Sequence, residues 1–454
     1  MKIKYALLPV LLLGIGSFLC GCGSESEDTL VLRIANCEEY IDEGDWDEDE
    51  VIELSNGSTI LGENSMISDF EDWYYETYGQ KVTVEYSTYG TNEDLYNQLT
   101  LGSEFDLVCP SEYMILKLMN EDMLQPYSDE FYDEENENNY YIKGLSPYIK
   151  NVFQNLENDG ESLYQYGAGY MWGTMGIVYN PDKVDEKDLH HWSLLTNEKY
   201  KKQITMKDGV RDSYIVGLCI LNEDTLMSEE FKNSSDYRKS IEQMLNATDE
   251  NTVNQVEDIL TAMKENAYSL ETDSGKADMV SGKVVANMQW SGDAVYSMDQ
   301  ADEDDYYLEF FVPEEGSNLW FDGWAMLKSG IGENKKKQQA AEAFVNFISR
   351  PDNVIRNMYY IGYTSVISGG DDDSVLQYVS YCYEEDEGVD YDLSYFFGED
   401  THITTSEEQL RRQLYAAYPT EDVLDRSVVM NFFDSEVNQR ISEMWINIRC
   451  FGLK

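Results

Sequence analysis

The chain has 454 residues and a formal charge of −56, from 88 acidic and 32 basic side chains. Such a charge excludes nucleic-acid binding by phosphate neutralisation, works against docking on anionic lipid, and favours cationic partners. With 42% apolar residues the chain can bury real cores, and its length suggests two or three domain-sized units of about 150 residues each.

Lys2 and Lys4 precede an apolar run, residues 6–18, of signal-peptide length and too short to span a bilayer as a helix. Leu19-Cys20-Gly21-Cys22 then resembles a bacterial lipobox, although a small residue is commoner where Cys20 stands. Residues 1–22 are expected to be a lipoprotein signal with Cys22 as the acylated residue, and 23–29 a polar tether. The remainder would then sit on the extracytoplasmic face of the membrane, anchored by lipid. No later apolar run reaches the roughly 18 residues of a membrane span.

Residues 30–35 predict a strand, and 42–64 an acidic insert punctuated by Gly and Asn, with the run 42–50 solvated. Residues 65–78 carry apolar and aromatic side chains at helical spacing, stopped by Gly79. Residues 81–86 alternate as a strand, 92–101 read as a helix, 105–109 as a buried strand, and 111–123 as a helix starting near Ser111. That alternation predicts a parallel α/β sheet. Further strands are expected at 174–179, 283–290 and 322–327, with helices at 252–265 and 335–349, the latter stopped by Pro351. The stretch after 370 reads as helical and carries no motif. No Pro/Ser-rich linker separates the α/β units, which suggests lobes joined by extended crossover strands, the architecture of hinge-closing binding proteins.

After the lipobox five cysteines remain, Cys37, Cys109, Cys219, Cys382 and Cys450, with no CxxC among them, so no zinc or redox framework is readable. Three histidines are too few for a His-rich metal site, and His190-His191 in a polar loop reads as surface rather than ligand. There is no GxSxG, HExxH, GxxxxGK[ST] or GxGxxG after a strand. Neither catalysis nor a cofactor is expected. Carboxylates are so numerous that no glycosidase-type pair can be singled out.

Four ordered segments carry a more specific signal. They are Ile34-Ala-Asn36-Cys37-Glu38-Glu39-Tyr40; Tyr86 to Glu93 with Phe105 to Tyr113; Tyr170 to Asn180 with Met206-Lys-Asp208-Gly-Val-Arg211-Asp212; and Met288-Gln-Trp290-Ser-Gly with Trp320-Phe-Asp322-Gly-Trp-Ala and Ile361-Gly-Tyr363-Thr. Together, over about residues 30–370, these resemble the spermidine/putrescine-binding proteins of bacterial ABC importers. The resemblance implies a two-lobed, periplasmic-binding-protein-like α/β fold of type II, each lobe a mainly parallel sheet flanked by helices, with the ligand in the cleft between them. One lobe would comprise residues 30–142 and 321–366, with the insert at 42–64, and the other 143–320 and 367–454.

A polyamine carries ammonium groups with pKa near 10 on an apolar chain, so it needs carboxylates for the charges and aromatic faces for the methylenes. The resemblance implies an aromatic wall of Tyr40, Tyr113, Trp290, Trp320 and Tyr363. It implies Asp322 gripping one amine, Asp208 and Asp212 meeting another from the opposite lobe with Arg211 orienting them, and Ser111 contributing at its helix start. The family usually has Trp where Cys37 stands and a small hydroxyl residue where Glu38 stands. One ring face of the box is thereby lost and a negative charge gained, so the amine would be held more by charge and less by stacking. The implied partners are a polyamine and the importer's permease and ATPase, and a monomer is expected. The alternatives are a receptor for another small cation or a metal, or an extracytoplasmic hydrolase with an unrecognised carboxylate site.

Overall fold

The computed structural model describes residues 29–47, 50–158, 160–398 and 400–451. The lipidation expected at Cys22 lies outside the described residues. The N-terminal third alternates as expected: β1 (Leu30–Cys37), α1 (Met66–Tyr78), β2 (Val82–Tyr89), α2 (Asn92–Thr100), β3 (Leu107–Val108) and α3 (Glu112–Asn120). In α1 the Ser65 side chain accepts from the Ser68 N–H, the core face is Met66, Phe70 and Tyr74, and Gly79 stops the helix at φ 67°. A second run follows: β4 (Gly167–Tyr179), β5 (Ile204–Lys207), α4 (Val210–Leu221), α5 (Glu250–Asn266), β6 (Ser269–Glu271), β7 (Ala286–Trp290) and α6 (Ser291–Glu303). Then come β8 (Ser317–Leu327), α7 (Lys335–Ile348), α8 (Pro351–Ile361) and, near the end, α9 (Ser435–Phe451).

The strands form one continuous sheet in the order β6-β5-β7-β4-β8-β3-β1-β2. Its two outer thirds are parallel: β1 pairs with β2 from Leu30↔Val82 to Cys37↔Tyr89 and with β3, while β5 pairs with β6 and β7. The long strands β4 and β8 run antiparallel to each other between these thirds, from Leu319↔Thr174 to Ala325↔Gly167. β4 also pairs with β7 and β8 with β3, so these two strands carry the chain from one parallel unit to the other. One core gathers Ile34, Phe70, Val108, Trp324 and Phe344; another gathers Trp192, Met206, Tyr214, Val256 and Leu260. Trp290 packs against both. This is the two-lobed α/β architecture that the sequence implies.

Several elements differ from expectation. β4 begins at Gly167 rather than 174, because glycines at 167, 169 and 173 hide its first half. Gly173 is required there, since a Cβ would lie 2.7 Å from the Trp320 ring. β5 is short and wholly buried and β6 has only three residues, so neither offers a period to read. Pro351 not only follows α7 but starts α8, where its fixed φ suits the first helical turn. The stretch after 370 contains a hairpin, Val389–Asp392 against His402–Thr405, as well as helices.

The run 42–50 is not wholly solvated. Asp42 is fully buried, and its carboxylate takes the Arg356 guanidinium at 2.6 Å and the Trp46 indole N–H at 3.0 Å. Arg356, on α8, also reaches Asp69 and the Asn64 carbonyl, both at 2.7 Å, and thereby ties both ends of the insert to the helices. Removing one partner of a buried ion pair costs about 3–5 kcal/mol, because the other charge is left uncompensated. Arg356→Met should therefore lower unfolding stability by that amount, read as a shift in the urea midpoint. A loss within experimental error would show that water reaches Asp42.

Candidate functional site

Asp322 lies on β8 where the register with β4 slips: Asp322 faces Met171, but Gly323 faces Gly169, leaving Tyr170 as the extra residue on β4. The bulge sends the Tyr170 hydroxyl to the Tyr40 carbonyl at 3.0 Å, which the Asn36 amide also holds at 3.0 Å. Tyr40, so placed, donates its hydroxyl to Asp322 Oδ2 at 2.7 Å. Ser111 donates to Oδ1 at 2.7 Å. Ser111 stands at the N-cap of α3 yet makes no side-chain cap bond, because its hydroxyl is committed to Asp322 and to the Asn92 amide. Burial pushes the Asp322 carboxyl above its ordinary range, and the two hydroxyls only partly offset this. Among the described residues, no basic side chain pairs with Asp322.

Aromatic rings surround this carboxylate. Tyr40 meets Tyr170 and Tyr363 edge-on, with centroids 5.5 and 5.7 Å apart. Trp320 is buried, packs 5.5 Å from Tyr363 and donates its indole N–H to the Thr174 carbonyl. Gly292 makes room for Tyr363, since a Cβ would lie 2.0 Å from its ring. The Tyr363 hydroxyl donates at 2.9 Å to Asp293, in the first turn of α6. These contacts bring Tyr40, Ser111, Trp320, Asp322 and Tyr363 together.

The other expected residues lie around α4 and the end of β7. Trp290 donates its indole N–H to Asp212 at 3.1 Å. Burial raises the Asp212 carboxyl despite that bond and the charges of Lys207 and Arg211. Arg211 does not orient Asp212. Its guanidinium lies over the Tyr113 ring at 3.9 Å and the Phe433 ring at 4.5 Å, and it donates to the carbonyls of Met430 and Asn431. Delocalised and weakly hydrated, it stacks where a lysine would stay solvated. Asp208 is not open either: Arg449, on α9, approaches it at 2.9 Å. Glu38 is exposed in the turn after β1, apart from these bonds.

Two groups that sequence reasoning passed over complete this side. Lys207 is buried, with Nζ 3.1 Å from Asp293, 3.5 Å from Glu271 and 4.2 Å over the Trp290 ring. Burial alone would raise the Asp293 carboxyl, but Lys207 and Lys276 hold it below its ordinary range. The signal was present in the adjacent position of Lys207 to Asp208 and in an acid three residues beyond Trp290, where it faces the helix N-terminus. Cys37 sits beside Asp322, and burial first, then that carboxylate, pushes its thiol up to about 12. It is thus a neutral group at the position where the resemblance implies a ring.

Residues 65–377 match the family model described as bacterial extracellular solute-binding protein. The spermidine/putrescine-binding periplasmic protein of Salmonella typhimurium is 26% identical over 284 residues, 62% of this chain and 70% of that one. A putrescine-binding periplasmic protein of Escherichia coli is 24% identical over 297 residues, 63% of this chain and 71% of that one. In fold, the chain is similar to a spermidine/putrescine ABC transporter substrate-binding protein from Streptococcus pneumoniae, with a TM-score of 0.59 at 24% identity, covering 93% of this chain and 99% of that one.

A second buried acid adjoins Asp322. Glu112 follows Ser111 and accepts the Phe321 N–H at 3.0 Å. Burial lifts its carboxyl from 4.5 to about 7; the Phe321 N–H and Arg211 lower it, and Asp322 raises it further. The folded state therefore favours protonated Glu112. Its contribution to stability is complete below pH 4.5 and is lost as pH rises through about 7. Glu112→Gln should relieve that penalty, gaining roughly 3 kcal/mol on wild type between pH 4.5 and pH 8. Urea unfolding at both pH values tests this; a pH-independent difference would mean that Glu112 does not titrate in that window.

Proposed function

Since the chain belongs to the bacterial extracellular solute-binding protein family, we propose that it captures a polyamine between two lobes and delivers it to the permease and ATPase of an ABC importer. The observation that carries this reading is a difference among buried and half-buried aspartates. Asp42, Asp106, Asp208 and Asp293 each have a lysine or arginine partner. Asp322 and Asp212 are held instead by hydroxyl and indole hydrogen bonds, and burial raises both carboxyls. A ligand ammonium would supply the missing charge at Asp322 and would add to the fields of Lys207 and Arg211 at Asp212. Tyr40, Trp320 and Tyr363 would flank one ammonium, Trp290 would adjoin the other, and Ser111 would hold Asp322 in place. Tyr113 would line the cleft with Arg211 covering one face, while Asp208, engaged by Arg449, would shape the field from behind. No bond of the ligand would be made or broken.

The relatives named for spermidine and putrescine support the ligand class. We place the lobes at residues 30–142 with 321–366 and 143–320 with 367–454, hinged through β4 and β8. The lipobox-like Leu19-Cys20-Gly21-Cys22 supports a lipid anchor on Cys22 and an extracytoplasmic location.

Truncating one partner of a buried charge pair costs roughly 2–5 kcal/mol, and each 1.4 kcal/mol is about tenfold in affinity. Asp322→Asn should therefore weaken spermidine or putrescine binding on the order of a hundredfold or more in calorimetry, with stability held or raised. Glu76→Gln, on an exposed face of α1, should bind as wild type. Equal affinity in both variants would make overall acidity the attractant. Separately, Cys22→Ala should move the protein out of the membrane fraction or leave it unprocessed. Persistent labelling of that variant by a fatty-acid analogue would refute the anchor.

A further inference from the structure

Away from the cleft, three segments converge on one buried carboxylate. His191 lies in the loop before a short 3-10 helix, Trp192–Thr196. Glu223 begins the turn of helix that follows α4, and Glu315 lies just before β8. The Glu315 side chain is fully buried, whereas those of His191 and Glu223 are 35% and 37% exposed. His191 Nδ1 is 3.1 Å from Glu315 Oε1 and 3.8 Å from Glu223 Oε1. Glu315 Oε1 also accepts the Trp192 N–H at 3.2 Å, but Oε2 is buried without a hydrogen-bond partner among the described residues. The segments are held together independently of these side chains. The Trp192 indole donates to the Gly316 carbonyl at 2.8 Å, and the Glu314 N–H donates to the His190 carbonyl at 2.8 Å.

We propose that His191, Glu223 and Glu315 form a binding site for a divalent transition-metal ion, zinc being the best fit. Three donor atoms, one from each residue, lie within 4.8 Å of one another. Donors about 2.1 Å from a tetrahedral zinc ion lie about 3.4 Å apart, so separations of 3.1 and 3.8 Å need only small adjustments to enclose one. One imidazole with two carboxylates is a borderline donor set, suited to zinc, cobalt, nickel or manganese rather than calcium. The set also lacks charge balance: a fully buried carboxylate and a second one face a single imidazole, which is at most singly positive. A divalent ion would supply that charge and give Oε2 a partner, with the partly exposed side leaving room for water as a fourth ligand. The ion would clamp the loop at 189–192 and the end of α4 to the root of β8, one of the two strands that carry the chain between the lobes. His191, read from sequence as a surface residue, thereby gains a role as a ligand.

Zinc chloride titrated into the whole protein, first stripped with a chelator, tests the site. One saturable zinc per chain is expected in calorimetry, together with a raised unfolding temperature. Losing even an outer-shell partner costs about 10–100-fold in metal affinity, so His191→Ala and Glu223→Gln should each lose at least that much and lose the thermal shift. Both side chains are partly exposed, so these variants should fold even where Glu315→Gln does not. His402 pairs with Asp390 and Asp392, which are both largely exposed, so His402→Ala is the control and should bind zinc as wild type does. Equal zinc affinity in wild type and His191→Ala, or only weak unsaturable uptake, would reduce the cluster to a histidine–glutamate ion pair and overturn the proposal.

Discussion

A carboxylate taken out of water loses several kcal/mol of solvation even after the protein relaxes, and a hydrogen bond to a charged group returns about 1.5–3 kcal/mol. Asp322 has two such bonds, from Tyr40 and Ser111, and no cation among the described residues. The surrounding structure is organised to hold it in that state. The register slip in β4 turns Tyr170 toward Tyr40. Ser111 gives up capping α3. The Gly323 N–H anchors the strand to the Pro110 carbonyl at 3.0 Å, and Ser111 and Asp322 form an isolated bridge between the two segments. A bulge and an uncapped helix are local costs that the packed sheet sustains, and such costs concentrate where function needs them.

The second unit shows the opposite solution. Asp293, Glu271, Lys207 and Lys276 neutralise one another, and the Trp290 ring covers Lys207. That network is complete without a ligand, so it serves as a rigid, charge-balanced backing for Trp290 and, through Asp293, for Tyr363. Arg211 spans from α4 to Tyr113 on α3 and to the chain at 430–433, so three separate stretches meet at one guanidinium. Any change in the separation of the two units must alter this stack. Its cation–π contribution is on the order of 1–2 kcal/mol when desolvated, strong enough to favour one arrangement and weak enough to be reversed.

Much of the cleft was legible because its residues sit at strand ends and helix starts, within segments short enough to keep their order. Tyr40, Ser111, Trp320, Asp322 and Tyr363 lie together in the fold. Asp208 shows where such reading stops. Its partner Arg449 is more than 200 positions away, in a tail that carries no motif. Ion pairing across such a distance leaves no local pattern. Asp42 misled in the same way, since an acid in an acidic run looks solvated until Arg356 is brought to it by α8. The first half of β4 was hidden by glycines, of which Gly173 leaves room for the Trp320 ring. The hairpin at 389–405 was hidden by a polar, aromatic composition that neither helix nor strand periodicity dominates.

Cys37, standing where the resemblance implies a ring, fits this electrostatic scheme. A thiol held up to about 12 is neutral at any physiological pH, and it adds no charge beside Asp322. Stacking on that side is lost, and Tyr40, Tyr363 and Trp320 supply the aromatic surface that is left. On the proposed function, less aromatic cover would leave more of the attraction for an ammonium to charge. Glu112, held near 7 within the field of Asp322, is the group whose charge state can respond. A cation arriving beside these two acids favours the ionised form of both. If an ammonium binds there as proposed, binding and proton release would be the same event viewed from two sides, and the strength of the site would follow from how unfavourable its empty, ionised form is.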